Sequence, residues 1–561
     1  MNNSAIADHF SLLSRLMDIH GENAFKSKTY SIAAFHIERL EEQLTHIDRS
    51  KHSSIKGLGA SVALKIAELI DTGHMTALQQ LLANTPQGIV EMLELKGLGP
   101  KKIHVIWKEM GIGSIGELEY ACNENRLTRY KGFGEKTQLK ILESISFYNQ
   151  NKGHFLYSQI HEIYPSIQAY LERLFGKDAL WNTGNYYRQL PTLYELEFIV
   201  AAPLKSIQQK FQTAYPPELL EETDHSVLYK LNNGLRLRIY SVLKNIPQFL
   251  FTTSSSPEFA QAFKETYYPE DFDTQTFNSE TAIFEKAQLP FIPAPLRESV
   301  ATIERAAKND LPELIEPKDI RGIIHNHSNW SDGLFTIEEM AKALIAKGIE
   351  YLVLSDHSKS AAYANGLTEE RIIQQQKQID ELNQQLAPFK IFKSIECDIL
   401  GDGSLDYSNE VLKSFDLVIA SVHSNLYMSE TKAMERLLKA IENPYTTILG
   451  HLTGRLLLSR NGYPIDHKKI IDACVAHNVV IEINANPHRL DLDWSWIAYA
   501  LDQKALLSIN PDAHTIDGFD DVQYGVIASQ KGGLTPASNL SSFSLKEFEA
   551  FITKRKAGIE Q

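Results

Sequence analysis

Three cysteines in 561 residues, Cys122, Cys397 and Cys474, are too few and too scattered for a disulfide framework or a thiolate metal site. No apolar stretch approaches the roughly 18 residues that a membrane-spanning helix needs. The N-terminus has no apolar core behind a basic flank, so no secretory signal and no membrane partner are expected, and the reducing cytoplasm is the expected location. Positive charge is in deficit: 56 Lys and Arg against 70 Asp and Glu give a net charge of −14. That balance counts mildly against nucleic acid as a partner. It is a poor guide to any single face, because basic and acidic residues nearly cancel over Met1 to Gln150 and the excess acid lies downstream. With 43% hydrophobic and 22% charged residues the chain is globular. Its length suggests three or four domains of about 150 residues each.

Histidine and carboxylate, by contrast, crowd the last two-fifths of the chain. The run opens with His325-Asn326-His327 and Asp332, continues through Asp356-His357, Glu396, His423 and His451, and closes with Asp512-Ala513-His514. The segments between them, Ile349–Leu354, Leu417–Ser421, Thr446–Leu449, Val479–Ile483 and Leu506–Ile509, read as buried strands. Ligands placed after successive strands are how a (β/α) barrel assembles a site from distant sequence. A lone His-x-His merely puts two imidazoles on one strand face. The ordered set is too large for one ion and implies a cluster of divalent metals, which in enzymes mostly serves phosphate esters.

These stretches resemble the polymerase-and-histidinol-phosphatase (PHP) domain over residues 320–515: Ile324 to His327, Trp330-Ser331-Asp332-Gly333, Ser355 to Ser358, Ile395 to Leu400, Ser421 to Ser424, Gly450 to Arg455, and Asp512 to His514. The resemblance implies a distorted seven-stranded barrel holding up to three zinc, manganese or iron ions. The ligands it implies are His325, His327, Asp332, His357, Glu396, His423, His451, Asp512 and His514. Asp356 and Asp398 would orient ligands from behind. Arg455 would pair with a substrate phosphate, since guanidinium matches that geometry.

The front of the chain repeats one device. It reads Ile55-Lys56-Gly57-Leu58-Gly59, then Leu95-Lys96-Gly97-Leu98-Gly99-Pro100-Lys101-Lys102, then Tyr130-Lys131-Gly132-Phe133-Gly134-Glu135-Lys136, each followed by a helical apolar pattern. Backbone N–H groups in such a turn, with a helix N-terminus behind them, suit phosphate. The motif resembles the helix-hairpin-helix, which grips DNA backbone without reading bases. Upstream, Glu22 to Lys26 and Tyr30 to Ala34 resemble the lyase-type domain of family X DNA polymerases, where Lys65 would match a lysine that forms a Schiff base. Such a lysine needs its pKa lowered by burial or by cationic neighbours.

The middle resembles the family X polymerase palm and thumb with its chemistry eroded. Gly184-Asn185-Tyr186-Tyr187-Arg188 stands where the family has Gly-Ser-x-Arg-Arg, Glu195-Leu196-Glu197 where it has Asp-x-Asp, and Arg236 where a third carboxylate belongs. A guanidinium there puts positive charge where two magnesium ions would sit.

The expected architecture is therefore a lyase-type helical domain over 1–85, a fingers-like helical region over 86–150, an α/β nucleotidyltransferase-like palm and thumb over 151–298, a linker over 299–319 and the PHP barrel over 320–561. Nearly the whole chain resembles a bacterial family X polymerase with a C-terminal PHP nuclease. The expected function is metal-dependent DNA phosphodiester hydrolysis, 3′–5′ or 3′-end processing in base-excision repair, by a monomer that binds DNA but no longer extends it. An active polymerase with a PHP exonuclease, a small-molecule phosphatase, and a DNA-binding scaffold with an inert barrel are the alternatives.

Overall fold

A computed structural model describes residues 1–40, 42–124, 126–212, 216–426 and 428–559, which form two compact units, Met1–Lys152 and Gly153–Gln561. The first unit is helical. A single apolar core runs through it from Ile6 to Ile145, so 85/86 marks no break in packing. The three Gly-x-Gly turns share one geometry. The first glycine of each is left-handed (Gly57 φ +83°, Gly97 φ +80°, Gly132 φ +92°), a conformation that costs other residues energy. The central residue, Leu58, Leu98 or Phe133, is buried. The last glycine caps the following helix, Ala60–Thr72, Pro100–His104 or Glu135–Asn151.

In the second unit, a five-stranded sheet is built from β1 (Leu180–Thr183), β2 (Glu195–Val200), β3 (Glu218–Glu222), β4 (Ser226–Lys230) and β5 (Arg236–Ser241), in the order β1-β2-β5-β4-β3. Only β2 and β5 run parallel, with Glu195 beside Arg236 and Glu197 beside Arg238. Helices between Ile246 and Lys286 form a phenylalanine-rich core around Phe251, Phe259, Phe263 and Phe284. Arg297 is buried against that core, 2.5 Å from Glu280 and 2.8 Å from the Ile292 carbonyl. The Pro-rich joint is thus anchored at its end. The expected linker is also packed: Ile303 joins the phenylalanine core, and Ile315 N–H bonds the Leu534 carbonyl of the barrel.

The barrel strands are β6 (Gly322–Ile324), β7 (Tyr351–Leu354), β8 (Lys390–Asp398), β9 (Leu417–Ser421), β10 (Thr446–Leu449), β11 (Val480–Asn484) and β12 (Leu507–Asn510), all parallel and neighbours in sequence order. Their residues are almost wholly buried, as expected of strands covered on both faces. The ring closes just beyond the ends of β6 and β12, where Asn326 bridges Ala513 and His327 N–H donates to the Ala513 carbonyl at 2.8 Å. The two chain segments that close the barrel therefore carry His325, His327, Asp512 and His514.

Candidate metal centre

All nine expected ligands converge at the C-terminal ends of the barrel strands, with Glu396 at the middle. Its carboxylate oxygens lie 2.9 Å from His357 Nδ1, 3.0 Å from His451 Nε2, 3.1 Å from His325 Nε2, 3.2 Å from His423 Nε2 and 3.6 Å from His327 Nε2. Asp512 Oδ1 lies 3.3 Å from His327 Nε2 and 3.6 Å from His325 Nε2. Asp332 Oδ1 lies 3.6 Å from His357 Nε2 and 3.5 Å from His514 Nε2. Three groups of mutually close donor atoms result: His325, His327 and Asp512; His327, Asp332, His357 and His514; and His357, Glu396 and His423.

The donor set fits metal ions. Many of these atoms are buried with no hydrogen-bond partner among the described residues, including His325 Nε2, both ring nitrogens of His327, Asp332 Oδ1, His357 Nδ1 and Glu396 Oε2. Orphaned buried polar atoms on this scale need a partner. Ligand atoms about 2.0–2.1 Å from a tetrahedral ion stand roughly 3.4 Å apart, which is the spacing seen. His325 and Asp512 also hold left-handed backbone, φ +63° and +54°, strain of about 1–3 kcal/mol each of a kind that concentrates at functional sites. The charges within the cluster offset one another: burial works against ionised Glu396, but the neighbouring His423, His325 and His357, themselves pushed toward the charged form by the carboxylates around them, hold its pKa well below the carboxylate range. Burial, with His514 and His357 beside it, pushes His327 well below the usual imidazole range and keeps it neutral.

The supporting residues differ in part from expectation. Asp398 does contact an expected ligand, accepting from His423 Nδ1 while also receiving Ser360 Oγ at 2.7 Å. Asp356 touches no ligand; it is buried and accepts from Ser328 N–H, Ser328 Oγ, Ser331 Oγ and Gln375 Nε2, which fixes the loop between His327 and Asp332. The carboxylate that does support His325 was not expected. Glu482, fully buried within β11, accepts from His325 Nδ1 at 2.5 Å, His451 N–H at 2.9 Å, Asn484 at 3.0 Å and Asn510 at 2.8 Å. Its sequence signal was an acid inside an apolar strand.

Arg455 is fully engaged in holding its own loop. It pairs with Asp493 at 2.5 Å and donates to the Arg489 and Leu490 carbonyls. Its neighbour Arg489 is the guanidinium at the cluster, with Nε 3.4 Å from Asp512 Oδ2 and, among the described residues, no hydrogen-bond partner for its terminal nitrogens. A second unforeseen residue, Tyr363, sits beside His357 with ring centroids 6.2 Å apart and the side chain largely exposed.

At the palm, the acids are held internally. Arg238, on the same strand face as Arg236, pairs with Glu195 at 2.8 Å and with Glu221 at 3.1 Å. Arg236 instead covers the Tyr194 ring, 4.0 Å from its centroid. Glu197 accepts from Tyr240 OH and Asn185 N–H, both at 3.0 Å, and packs so closely on Gly184 that a Cβ there would lie 1.7 Å from its oxygen. Arg188 donates to Glu298 at 2.5 and 3.0 Å, and Lys531 of the barrel reaches Glu298 and the Arg188 carbonyl, each at 2.7 Å.

In the helical unit, among the described residues and beyond the chain neighbours, no heavy atom stands within 4 Å of the Cβ position at Gly59, Gly97, Gly99, Gly132 or Gly134, which leaves those turns open to approach. The His36 ring covers Gly57, 2.1 Å from its Cβ position. Lys101 and Lys136 are exposed and Lys102 is half-buried. Lys65 is half-buried on its helix, 5.9 Å from the Tyr30 ring centroid.

Comparison with known proteins bears on the regions these residues lie in. A helix-hairpin-helix domain family matches residues 1–75, a SAM-like helix-hairpin-helix tandem matches 89–146, and the PHP domain matches 324–486. A protein of Bacillus subtilis (strain 168) named DNA polymerase/3′-5′ exonuclease PolX is 35% identical over 556 residues, covering 96% of this chain and 97% of that protein. Proteins named "probable phosphatase" match the barrel region more weakly. That of Caldanaerobacter subterraneus is 28% identical, covering 28% of this chain and 60% of itself, and that of Shewanella frigidimarina is 25% identical, covering 41% and 92%. With two hairpin regions in front, a PHP barrel behind and a full-length relative in common, the chain belongs to the PolX family of DNA polymerase/3′-5′ exonucleases.

Proposed function

We propose that this member of the family is a metal-dependent 3′–5′ DNA exonuclease or 3′-end-processing enzyme of base-excision repair, in which the palm has kept its fold and lost nucleotidyl transfer. The observation that carries the hydrolytic reading is the complete donor set around Glu396. Up to three ions of zinc, manganese or iron type would be held by His325, His327, Asp332, His357, Glu396, His423, His451, Asp512 and His514. When bound, such ions supply Lewis acidity to a phosphate and lower the pKa of water, so no protein nucleophile is needed.

The chain's own residues do the positioning. Glu396, central and ionised, touches five imidazoles and sets their spacing. Glu482 and Asp398 fix the rings of His325 and His423 so that Nε2 of each points inward. Arg489 presents its free guanidinium edge to a substrate phosphate, and Arg455 serves that contact by holding the Arg489 carbonyl. The hairpin turns with Lys101, Lys102 and Lys136 would hold DNA backbone without regard to sequence.

The second reading, an active polymerase, draws on the name of the Bacillus subtilis relative. Arg238 speaks against it here, because its guanidinium lies against Glu195 where a divalent ion would need a carboxylate. The test incubates 5′-labelled single-stranded, gapped and abasic DNA with manganese, zinc or magnesium, with and without deoxynucleotides. Stepwise shortening from the 3′ end with no extension is expected. Template-directed extension abolished by Glu195→Ala and Glu197→Ala would overturn the loss of polymerase chemistry. Intact DNA in every metal would overturn the nuclease.

A further inference from the structure

The rim of the metal centre carries one large aromatic that packing does not explain. Tyr363 is 73% exposed although it stands next to a buried, highly polar cluster. It lies on a short turn, Ala362–Ala364, six residues past His357. That turn is rigidly mounted. Ala361 N–H bonds the Ser358 carbonyl at 3.0 Å, and Leu367 N–H bonds the His357 carbonyl at 2.9 Å. Arg371 holds the Asn365 and Gly366 carbonyls at 2.7 and 3.2 Å, and Asn365 Nδ2 reaches the Trp330 carbonyl at 3.2 Å. The turn that carries the ring is therefore fixed beside His357 in advance of any ligand. Beside Asp512, Arg489 offers terminal guanidinium nitrogens that have no hydrogen-bond partner among the described residues. A phosphate site with a cation at one edge and an open aromatic face at another matches the two ends of a nucleotide. A small phosphomonoester would have no use for the ring.

We propose that Tyr363 stacks on the base of the 3′-terminal nucleotide while the cluster and Arg489 hold that nucleotide's 5′-phosphate, so that the barrel itself selects nucleotide ends over small phosphate esters. The inference rests on the reading of the barrel as a 3′-end phosphodiesterase and adds the residue that makes it prefer nucleotides. Stacking suits an enzyme whose hairpins ignore sequence, because every base has a π-face. The contact is made equally in the ground and transition states, so its loss appears in KM. Stacking of one base corresponds to roughly five- to hundredfold in affinity.

The test uses the full-length, metal-loaded protein and its Tyr363→Ala and Tyr363→Phe variants, with metal content verified for each. Two oligonucleotides are compared, one ending in thymidine and one ending in a tetrahydrofuran abasic nucleotide. Calorimetry then measures binding of thymidine 5′-monophosphate and, separately, of inorganic phosphate. Tyr363→Ala should raise KM at the thymidine end by roughly five- to hundredfold, far more than at the abasic end. It should weaken the nucleotide by a similar factor and inorganic phosphate by much less, and Tyr363→Phe, which keeps the ring, should restore most of the affinity. Equal losses at both ends, or equal losses for nucleotide and phosphate, would overturn the stacking role. If the wild-type protein degrades neither oligonucleotide, the nuclease reading fails, and the nucleotide-against-phosphate comparison alone then decides for or against Tyr363.

Discussion

Replacing Glu482 by glutamine changes no volume and removes one charge, yet it should weaken metal binding by about 10- to 100-fold, the usual effect of removing a ligand's supporting partner. All four of its hydrogen bonds are accepted: His325 Nδ1 and Asn510 Nδ2 donate to one oxygen, His451 N–H and Asn484 Nδ2 to the other. A glutamine must turn its NH2 toward one of those pairs, and either orientation sets two donors against a donor. Flipping the asparagine amides gives no relief. Asn484 also donates to Asp512 at 3.1 Å and accepts from Asn486 N–H, while Asn510 accepts from Ser508 Oγ at 2.6 Å. Each buried donor left unsatisfied costs about 1–3 kcal/mol. Two of them give about 2–6 kcal/mol, the lower part of which matches the 10- to 100-fold loss at about 1.4 kcal/mol per decade. The assay is competition for the metal against a chelating indicator, with circular dichroism to show that Glu482→Gln folds. A folded variant whose metal affinity stays within about twofold of wild type would refute the reasoning.

Other expectations follow from the same geometry. Glu298→Gln leaves Arg188 and Lys531 buried without their carboxylate, so chemical unfolding should show a loss of about 3–5 kcal/mol, part of which Lys531→Met in the same chain should recover. Burial, with Asp520 and Glu162 close by, pushes the Asp521 carboxyl up to about 7. A raised carboxyl stabilises the fold only while protonated, so its contribution is lost as pH rises from the ordinary carboxylate range through about 7. Asp521→Asn should therefore raise Tm at pH 8 and leave it near wild type at pH 4, and a variant less stable than wild type at pH 8 would contradict this. Replacing Lys101, Lys102 and Lys136 by glutamine should weaken DNA binding alike on unrelated sequences and flatten its salt dependence by nearly one log unit per lost phosphate contact, measured by fluorescence anisotropy.

Much of the site was legible because a barrel writes its ligands in order. The apolar runs Leu417–Ser421 and Thr446–Leu449 read as strands, each is followed within two residues by its donor, and the structure keeps those bounds. Glu482 lies within its strand, where alternation says only which face it shares; Glu396, also within its strand, was marked by the resemblance of Ile395 to Leu400 and not by position. The choice between Arg455 and Arg489 is invisible to any pattern, since both lie in irregular loops and only folding shows which one Asp493 and the backbone carbonyls already engage. The same holds for Arg236 and Arg238. Alternation places both on the face of Glu195 and Glu197, and the lean of long side chains across a parallel ladder decides that Arg238 reaches the acid. Asp356 was misread for a related reason: adjacency to His357 in sequence puts the two side chains on opposite faces, and its carboxylate turns to Ser328 and Ser331. An exposed tyrosine in a loop carries no sequence signal at all.

If the carboxylate of Glu396 organises a metal cluster that cuts DNA from its 3′ end, removing its charge should cost both metal and cutting. The most direct measurement follows shortening of a 5′-labelled single strand by wild-type and Glu396→Gln proteins after each is loaded with manganese, alongside metal analysis of both. The account predicts 3′–5′ shortening by the wild type, lost on chelation, and a folded Glu396→Gln protein that has lost bound metal and shortens the strand at least about 100-fold more slowly. Equal shortening by the two proteins at equal metal content would contradict it.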